Sequence, residues 1–243
     1  MSTDIIENSL FKDTQLSEAH FESHLNLDLI HYYEDQSKLK EWLERKSLRD
    51  YFHPGIVLGP SKISGYGLFA SVKIRKGELI SYENSEDYFI LNLTEIEAKT
   101  QSYQDFWWHF CYQVGDDSWM GPKDPEVIKR KITCFQNHSC DPTTWFVDND
   151  ITIIARRDIE SGEEITYDYG TTESYIDPEM ETVICKCNAG CCRGRMSGEE
   201  WKDTNLQSRY GDHWISYLRE KIHKIKSTTT TTKRRPSNSS HIS

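Results

Sequence analysis

Short apolar or alternating runs, separated by turn residues, fill the centre of the chain and predict β-strands. The predicted strands are Ile56–Leu58, Tyr66–Ala70, Leu79–Tyr82, Tyr88–Leu91, Thr144–Val147, Ile151–Ala155 and Glu164–Tyr169. The residues between the runs favour turns, as at Gly59-Pro60, Lys76-Gly77, Asn84-Ser85 and Asp148-Asn149-Asp150. Many short strands with few long helices predict a β-rich α+β fold built of small sheets.

The segment between Leu91 and the second group of strands carries both helical and strand signals. Thr94 with Glu97 matches a capping box and predicts a helix through about residue 104. The aromatic run 106–114 then predicts a strand, which Gly115 ends. Packing in the core is the default role of these rings.

Helical periodicity marks both ends of the chain. Residues 34–51 predict an amphipathic helix that stops at His53-Pro54-Gly55, and a weaker helical pattern precedes it. Apolar residues recur at helical spacing over residues 201–222, which predicts one or two helices broken at Gly211. The threonine-rich stretch 227–243 has the composition of a disordered tail.

Length and composition limit the class of protein. With 243 residues, of which 36% are hydrophobic, the chain can form one sizeable domain with flanking helices. It has no run of about 18 apolar residues, so no transmembrane helix is expected. The polar N-terminus lacks the features of a signal peptide. We therefore expect a nuclear or cytoplasmic protein, not a secreted one, whose seven cysteines are thiols or metal ligands.

The chain is acidic, with a formal net charge of −10, although its C-terminal residues 224–243 carry only basic charges. An acidic body argues against a groove for phosphates, so no direct binding of nucleic acid is expected, nor of a membrane. It suits a basic polypeptide partner such as a lysine-rich tail. Charge serving only solubility is the other interpretation.

Four cysteines lie within eight residues, in the pattern Cys185-x-Cys187-x3-Cys191-Cys192. Zinc takes four ligands, and short spacings let one loop supply several of them. If three thiols of this loop bind zinc, the fourth ligand comes from a distant residue. Buried or redox-active thiols are the alternative, and core thiols are the default for Cys111 and Cys134.

Three further motifs are each ambiguous alone. Gly65-Tyr66-Gly67 is not a dinucleotide fingerprint, because no third glycine opens a helix, and glycines in this position usually make a turn. Asn137-His138-Ser139-Cys140 could be a capped polar turn. Tyr167 and Tyr169 could simply alternate on one face of a strand.

In this order, the motifs resemble the SET-domain protein-lysine methyltransferases that carry a post-SET zinc-binding motif. The resemblance spans roughly residues 56–194 and implies the SET fold of small β-sheets with a pseudoknot, flanked by N- and C-terminal helices. It divides the chain into an N-terminal helical region (1–55), a SET domain (56–170), a post-SET zinc-binding segment (171–194), C-terminal helices (195–226) and a disordered tail (227–243).

The resemblance also implies a role for each motif. S-adenosylmethionine would be bound by Gly65, Tyr66, Gly67, Asn137 and His138. Zinc would be bound by Cys140, Cys185, Cys187 and Cys192, with Cys191 as an alternative ligand. Tyr169 would be the catalytic tyrosine, and Tyr167 would limit the number of methyl groups. Phe110 or Tyr112 is a candidate for a further wall of the lysine channel.

The implied reaction is methyl transfer from S-adenosylmethionine to a lysine side chain of a protein substrate, with a histone as one candidate. A tyrosine at position 167 favours a mono- or dimethyl product. Two other classes are open: a non-catalytic SET-fold module that only binds a peptide, and a zinc-finger nucleic-acid binder. Cofactor binding separates the first from an enzyme, and the acidic body opposes the second.

Overall fold

A computed structural model describes residues 50–83, 87–124, 127, 131–147, 151–176 and 184–232. Their strands are β1 Asp50–Phe52, β2 Ile56–Pro60, β3 Tyr66–Ala70, β4 Leu79–Glu83, β5 Tyr88–Leu91, β6 Tyr112–Gly115, β7 Ser118–Pro122, β8 Asn137–His138, β9 Thr144–Val147, β10 Thr152–Ala155 and β11 Glu164–Tyr167. Their α-helices are α1 Leu93–Glu97, α2 Gln101–Phe110, α3 Thr204–Tyr210 and α4 Ser216–Thr232. Short 3-10 helices span Ile132–Phe135, Tyr169–Thr171 and Glu200–Lys202.

Small sheets dominate the described structure, and the predicted fold class is confirmed. Two four-stranded sheets have the orders β1-β4-β10-β9 and β2-β3-β11-β8, and a three-stranded sheet has the order β5-β7-β6. The pairing of β8 with β11 is parallel, and it sets Asn137 beside Thr166 and His138 beside Tyr167. The pseudoknot stays a prediction.

The main core lies between the two four-stranded sheets. It includes Leu68 on β3, Ile80 on β4, Ile153 on β10 and Ile165 on β11. Leu68 and Ile165 are fully buried. Complete burial of one such side chain contributes about 1.5–3 kcal/mol, so this core fixes β3 and β11, the strands that carry the glycine and tyrosine motifs.

The aromatic run 106–114 was predicted as a strand, and this prediction is wrong for most of its length. Residues 101–110 form α2, and only Tyr112–Gly115 is a strand. The reason is a helical spacing that starts before the run: Tyr103 precedes Phe106 and Trp107 by three and four residues, Phe110 follows them by four and three, and Trp107 is fully buried. Tyr103 stacks on Trp107 with 5.9 Å between ring centroids.

The helix predicted to begin with the Thr94 and Glu97 capping box begins earlier. Asn92 caps α1: its side chain accepts the Glu95 N–H at 2.9 Å, and the Glu95 carboxylate accepts the Asn92 N–H at 2.9 Å. This helix ends at Glu97, and a second helix begins at Gln101. Both capping patterns fit the sequence, and Asn is the stronger N-cap residue.

The N-terminal helix predicted through Tyr51 is wrong at its end, because β1 pairs with β4 there and sets Tyr51 opposite Tyr82. Residues 1–49, which hold the rest of that prediction, lie outside the described residues. Strand β7 was not predicted. Its central position in the three-stranded sheet buries Trp119 and Met120.

The predicted C-terminal helices are present, and Gly211 separates them with a φ of 55°. Helix α4 continues to Thr232, beyond the boundary predicted at residue 226. Residues 233–243 lie outside the described part. Trp214 and Leu218 pack with Tyr112 of β6. No helix in the described ranges is long and apolar enough to cross a membrane.

Candidate active site

The glycine motif and the Asn-His motif meet although about 70 residues separate them. The side-chain nitrogen of Asn137 lies 3.1 Å from the Ser64 carbonyl, 3.0 Å from the Tyr66 carbonyl and 2.8 Å from Glu164 Oε1. Asn137 is mostly buried, and its backbone belongs to β8. The amide therefore ties the turn before β3 to β11.

The two glycines of this turn have different roles in the packing around it. Gly65 has a φ of 41°, and a Cβ atom there would meet nothing within 4 Å. At Gly67 a Cβ atom would overlap Glu164 Oε1 and lie 3.0 Å from Asn137 Nδ2. Gly67 is therefore needed for close packing, whereas Gly65 leaves bare backbone beside open space. A small polar ligand could approach the backbone there, so the turn fits the predicted S-adenosylmethionine site.

Strand β11 and the 3-10 helix after it position the paired tyrosines. Their ring centroids are 4.8 Å apart, and Tyr167 meets Phe146 edge to face at 5.5 Å. The Tyr169 hydroxyl donates at 3.1 Å to the carbonyl of Gln136, the residue immediately before Asn137. Burial raises the pKa of both phenols well above its ordinary value, so both hydroxyls are neutral.

The imidazole of His138 lies between the tyrosine turn and the thiols. Its Nδ1 accepts the backbone N–H of Tyr169 at 3.2 Å, so the remaining proton is on Nε2, 3.4 Å from Cys140 Sγ. Burial lowers the pKa of His138 to about 4, which keeps the ring neutral. The His138 side chain is thus already engaged.

Four thiols converge beside this imidazole. The Sγ atoms of Cys140, Cys185, Cys187 and Cys192 all lie within 4.8 Å of one another, and those of Cys140 and Cys185 are 3.7 Å apart. Zinc–sulfur bonds of about 2.3 Å in a tetrahedron put sulfurs about 3.8 Å apart, so the four thiols fit zinc. The exposed Cys191 is outside the group, with its thiol 3.4 Å from the Cys140 carbonyl.

Backbone N–H groups already point at these sulfurs. Cys140 N–H donates to Cys187 Sγ at 3.5 Å, and Arg193 N–H donates to Cys140 Sγ at 3.4 Å. Burial opposes the thiolate of Cys187, but the hydrogen bond from Cys140 N–H and those from neighbouring groups lower the pKa of Cys187 to about 7. Burial raises the pKa of Cys140 to about 11. A metal would have to displace its proton.

Sequence reasoning missed the ion pair of Asp168 with Arg193. The guanidinium donates to both carboxylate oxygens at 2.8 and 2.6 Å, and the Tyr210 hydroxyl donates at 2.7 Å. Asp168 is almost fully buried, which raises a carboxyl pKa, but the Arg193 hydrogen bonds hold the pKa of Asp168 below its ordinary value. The position of Arg193, directly after Cys192, was the available signal.

Helix α4 also reaches the tyrosine turn. The Tyr217 hydroxyl lies 2.7 Å from the Thr172 carbonyl and 2.9 Å from Gln113 Oε1. The two candidate channel walls differ in their neighbours: Tyr112 packs on Phe146, which contacts Tyr167, whereas Phe110 packs on Phe135. Of the two candidates for a wall of the lysine channel, Tyr112 thus lies nearer Tyr167.

Comparison with known proteins agrees with this arrangement, since residues 65–170 match the SET domain family. The chain is 30% identical over 166 residues to the histone-lysine N-methyltransferase trr of Drosophila melanogaster, covering 63% of this chain and 6% of that protein. It is 31% identical over 150 residues to the H3 lysine-4 specific histone-lysine N-methyltransferase of Schizosaccharomyces pombe, covering 57% of this chain and 15% of that protein.

A third relative is the variant-silencing SET domain-containing protein of Plasmodium falciparum (isolate 3D7), 32% identical over 159 residues, with 60% of this chain and 6% of that protein covered. The chain thus spans only a small fraction of these relatives. Residues 65–170 match the SET domain family, and the four clustered thiols, Cys140 within that match and three cysteines after it, are compatible with a post-SET zinc site.

Proposed function

We propose that this chain transfers a methyl group from S-adenosylmethionine to the side-chain amine of a lysine in a protein substrate. The observation that carries the proposal is the meeting of three distant motifs. The Asn137 side chain ties the glycine turn to β11, and the Tyr169 hydroxyl donates to the carbonyl of Gln136, the residue before Asn137. Methyltransferase relatives of the same domain support the proposal.

The cofactor-binding residues in this proposal are Gly65, Tyr66, Gly67, Asn137 and His138. S-adenosylmethionine, when bound, supplies a methyl group on a positively charged sulfur. The bare backbone at Gly65 and the backbone of His138 can hydrogen-bond its polar groups, while the Asn137 amide keeps the turn in place.

The lysine must lose a proton before it can accept a methyl group. Its ordinary pKa of about 10.4 makes the free amine about 4–5 kcal/mol uphill at pH 7. A narrow aromatic channel beside Tyr167 and Tyr169 disfavours the ammonium form and lowers that barrier. The Tyr169 hydroxyl and the Gln136 carbonyl can then hold the amine in line, which is catalysis by positioning.

In the same proposal Cys140, Cys185, Cys187 and Cys192 hold one structural zinc ion, for which their spacing is suitable. Cys140 follows the Asn-His pair directly, and the other three ligands come from the loop after residue 183. Zinc would therefore fasten this loop against the site, in the same place where Arg193 already pairs with Asp168.

The proposed substrate is a basic polypeptide, with a histone as the candidate. The net charge of −10 favours a lysine-rich partner, and one relative bears the name of an H3 lysine-4 specific enzyme. A histone substrate would put the protein in the nucleus. Tyr167 favours a mono- or dimethyl product, because its hydroxyl leaves less room for an amine that already carries methyl groups.

Calorimetry with S-adenosylmethionine and S-adenosylhomocysteine, followed by incubation with labelled cofactor, histones and a cell extract, tests the proposal. Binding of the cofactor together with label on a lysine supports it. A protein that binds a lysine-rich peptide but neither cofactor would instead be the non-catalytic module. Tight binding in a nucleic-acid shift assay without cofactor binding would favour the nucleic-acid binder.

A further inference from the structure

Gln113 is a polar residue of strand β6 that is fully buried. Its Oε1 accepts the backbone N–H of Ser174 at 2.7 Å and the Ser174 hydroxyl at 3.1 Å. Its own backbone N–H donates to Glu173 Oε1 at 3.3 Å. A buried amide is costly unless it is hydrogen-bonded, and the bonds of this one reach residues 60 and 61 positions further along the chain. Gln113 therefore joins β6 to the segment that follows the tyrosine turn.

The segment that Gln113 holds is bonded in turn to Tyr169. The backbone N–H groups of Thr172 and Glu173 donate to the Tyr169 carbonyl at 3.0 and 2.9 Å. The Thr172 hydroxyl lies 3.0 Å from the same carbonyl oxygen. Residues 172–174 thus form a bridge between Gln113 and the backbone of Tyr169, and a displacement of this bridge would move that backbone.

Helix α4 holds the same bridge from the other side. The Tyr217 hydroxyl lies 2.7 Å from the Thr172 carbonyl and 2.9 Å from Gln113 Oε1, so its proton can serve either acceptor. The Tyr217 ring packs against the buried cluster of the C-terminal helices, and Tyr112 packs against the same cluster. One hydroxyl of α4 therefore contacts both ends of the connection between β6 and the bridge.

We propose that Gln113 and Tyr217 are positioning residues for methyl transfer, which fix the place of the Tyr169 turn relative to Tyr112. The inference rests on the proposed function, since it needs a lysine in the channel beside the paired tyrosines. Tyr112 directly precedes Gln113, and its ring packs on Phe146 with 6.3 Å between centroids. Gln113 thus ties a candidate wall of the channel to the turn that carries the catalytic tyrosine.

Methyl transfer is sensitive to this kind of positioning. The amine lone pair has to point along the methyl–sulfur bond, and a misplacement of about 1 Å can cost about 100-fold in rate. Neither Gln113 nor Tyr217 needs to touch the substrate for this role, because both act through the backbone of the bridge. Loss of either should therefore slow the transfer step and leave binding of the peptide and of the cofactor intact.

The Tyr217→Phe variant tests this role because it removes the hydroxyl and keeps the ring that packs in the helix cluster. We expect kcat on a lysine peptide to fall about tenfold, with the KM of the peptide and the affinity for S-adenosylmethionine unchanged. All rates are compared at one pH, because burial raises the pKa of Glu173, which accepts the Gln113 N–H, to about 7. A purely structural role would lower the melting temperature and leave kcat per folded molecule unchanged.

Tyr103→Phe is the matched control. It also removes a tyrosine hydroxyl that lies near a backbone carbonyl, that of Lys123 at 3.4 Å, but it leaves the bridge intact. Its kcat should equal that of the wild type. Equal kcat values for Tyr217→Phe and Tyr103→Phe would overturn the inference, and so would a Tyr217→Phe variant whose loss lies in KM or in cofactor affinity.

A double-mutant cycle tests whether Gln113 and Tyr217 act together. Gln113→Met removes the amide and keeps a side chain of similar length. Because both residues hold one bridge, the losses of kcat should not multiply, and the double variant should lose about as much as the more damaging single variant. Losses that multiply would overturn the inference. If Gln113→Met does not fold, Tyr217→Phe and its control decide.

A further readout does not depend on turnover. In protein labelled with ¹⁹F-tyrosine, the resonance that Tyr169→Phe lacks should shift in Tyr217→Phe and stay in place in Tyr103→Phe. An unshifted Tyr169 resonance in Tyr217→Phe would overturn the inference. A wild type that neither binds the cofactor nor transfers methyl groups refutes the proposed function, whereas an active wild type with an unaltered Tyr217→Phe variant refutes this inference alone.

Discussion

The two tyrosine hydroxyl groups of the site are held differently. The Tyr169 hydroxyl donates to the Gln136 carbonyl, whereas the Tyr167 ring packs edge to face on Phe146. Tyr169 therefore lies against the backbone that precedes Asn137, and Tyr167 lies against Phe146 of β9. This difference suits a catalytic role for Tyr169 and control of the space available to the amine for Tyr167.

Tyr167→Phe should add one methyl group to the product without greatly slowing the first transfer. The change removes a polar contact and frees space around the amine. A shift of about 1.4 kcal/mol alters the partition between release and a second transfer tenfold. Mass analysis of a peptide substrate over time measures the product distribution. Efficient trimethylation by the wild type, or the same products from both proteins, would contradict this role of Tyr167.

The pKa of Glu173 predicts a pH-dependent difference in stability. Its folded value of about 7 lies above the ordinary value, so its stabilising effect is complete below about pH 4.3 and is lost as the pH rises through 7. Glu173→Gln stays neutral throughout. Between pH 5 and 8, the melting temperature of the variant minus that of the wild type should therefore increase as the pH rises. A difference that stays constant over this range would show that the carboxyl does not titrate there.

At the scale of elements, the cysteine loop depends on metal. Chelation should increase hydrogen exchange over residues 184–194 and suppress methyl transfer, because metal binding and local folding are coupled. Added zinc should restore both. Cys192→Ser should lose the metal and Cys191→Ser should keep it, since only Cys192 belongs to the four converging thiols. Metal analysis that finds no zinc in the pure protein, or the reverse result for the two variants, would show the assignment to be wrong.

The same loop is fastened by Arg193. Arg193→Gln leaves the buried Asp168 carboxylate without its cation and should cost about 3–5 kcal/mol of stability. Arg195→Gln, which removes a charge from an exposed residue of the same loop, should stay within about 0.5 kcal/mol of the wild type. Denaturant unfolding of the zinc-loaded proteins measures both. Equal stability of the two variants would mean that the ion pair does not fasten the loop.

Some elements could be predicted closely from the sequence. Strands Tyr66–Ala70, Tyr88–Leu91 and Thr144–Val147 have the predicted bounds, because turn residues flank compact runs of apolar and aromatic residues. The aromatic run could not be assigned in the same way. Its residues satisfy a strand and a helix pattern, and packing of Trp107 against Ile96 and Trp119 selects the helix.

The site was predictable as a set of motifs but not as a set of contacts. The order of the glycine, Asn-His, tyrosine and cysteine motifs indicated which residues to consider, and their individual roles remain predictions. The pairing of Asp168 with Arg193 and the place of Glu173 could not be read from the sequence. Both depend on contacts between distant parts of the chain: the cysteine loop returns to the tyrosine turn after β11, and Gln113 of the earlier strand β6 donates to Glu173.

At the scale of the whole molecule, three parts of the chain converge on the tyrosine turn. The SET domain supplies the turn itself, the cysteine loop reaches it through Arg193, and the C-terminal helices reach it through Tyr210 and Tyr217. Each contact is buried or partly buried. The C-terminal helices are therefore part of the structure that positions the site.

The most direct test of the account is the intact mass of a lysine-containing histone peptide after incubation with S-adenosylmethionine and either wild type or Tyr169→Phe. That substitution removes one hydroxyl, leaves the ring, and should cost only about 1 kcal/mol of stability from the lost bond to Gln136. The account predicts added methyl groups with the wild type and a rate lower by orders of magnitude with the variant, at equal cofactor affinity. Equal rates for the two proteins, or a wild type that binds the cofactor and the peptide yet adds no methyl group, would contradict it.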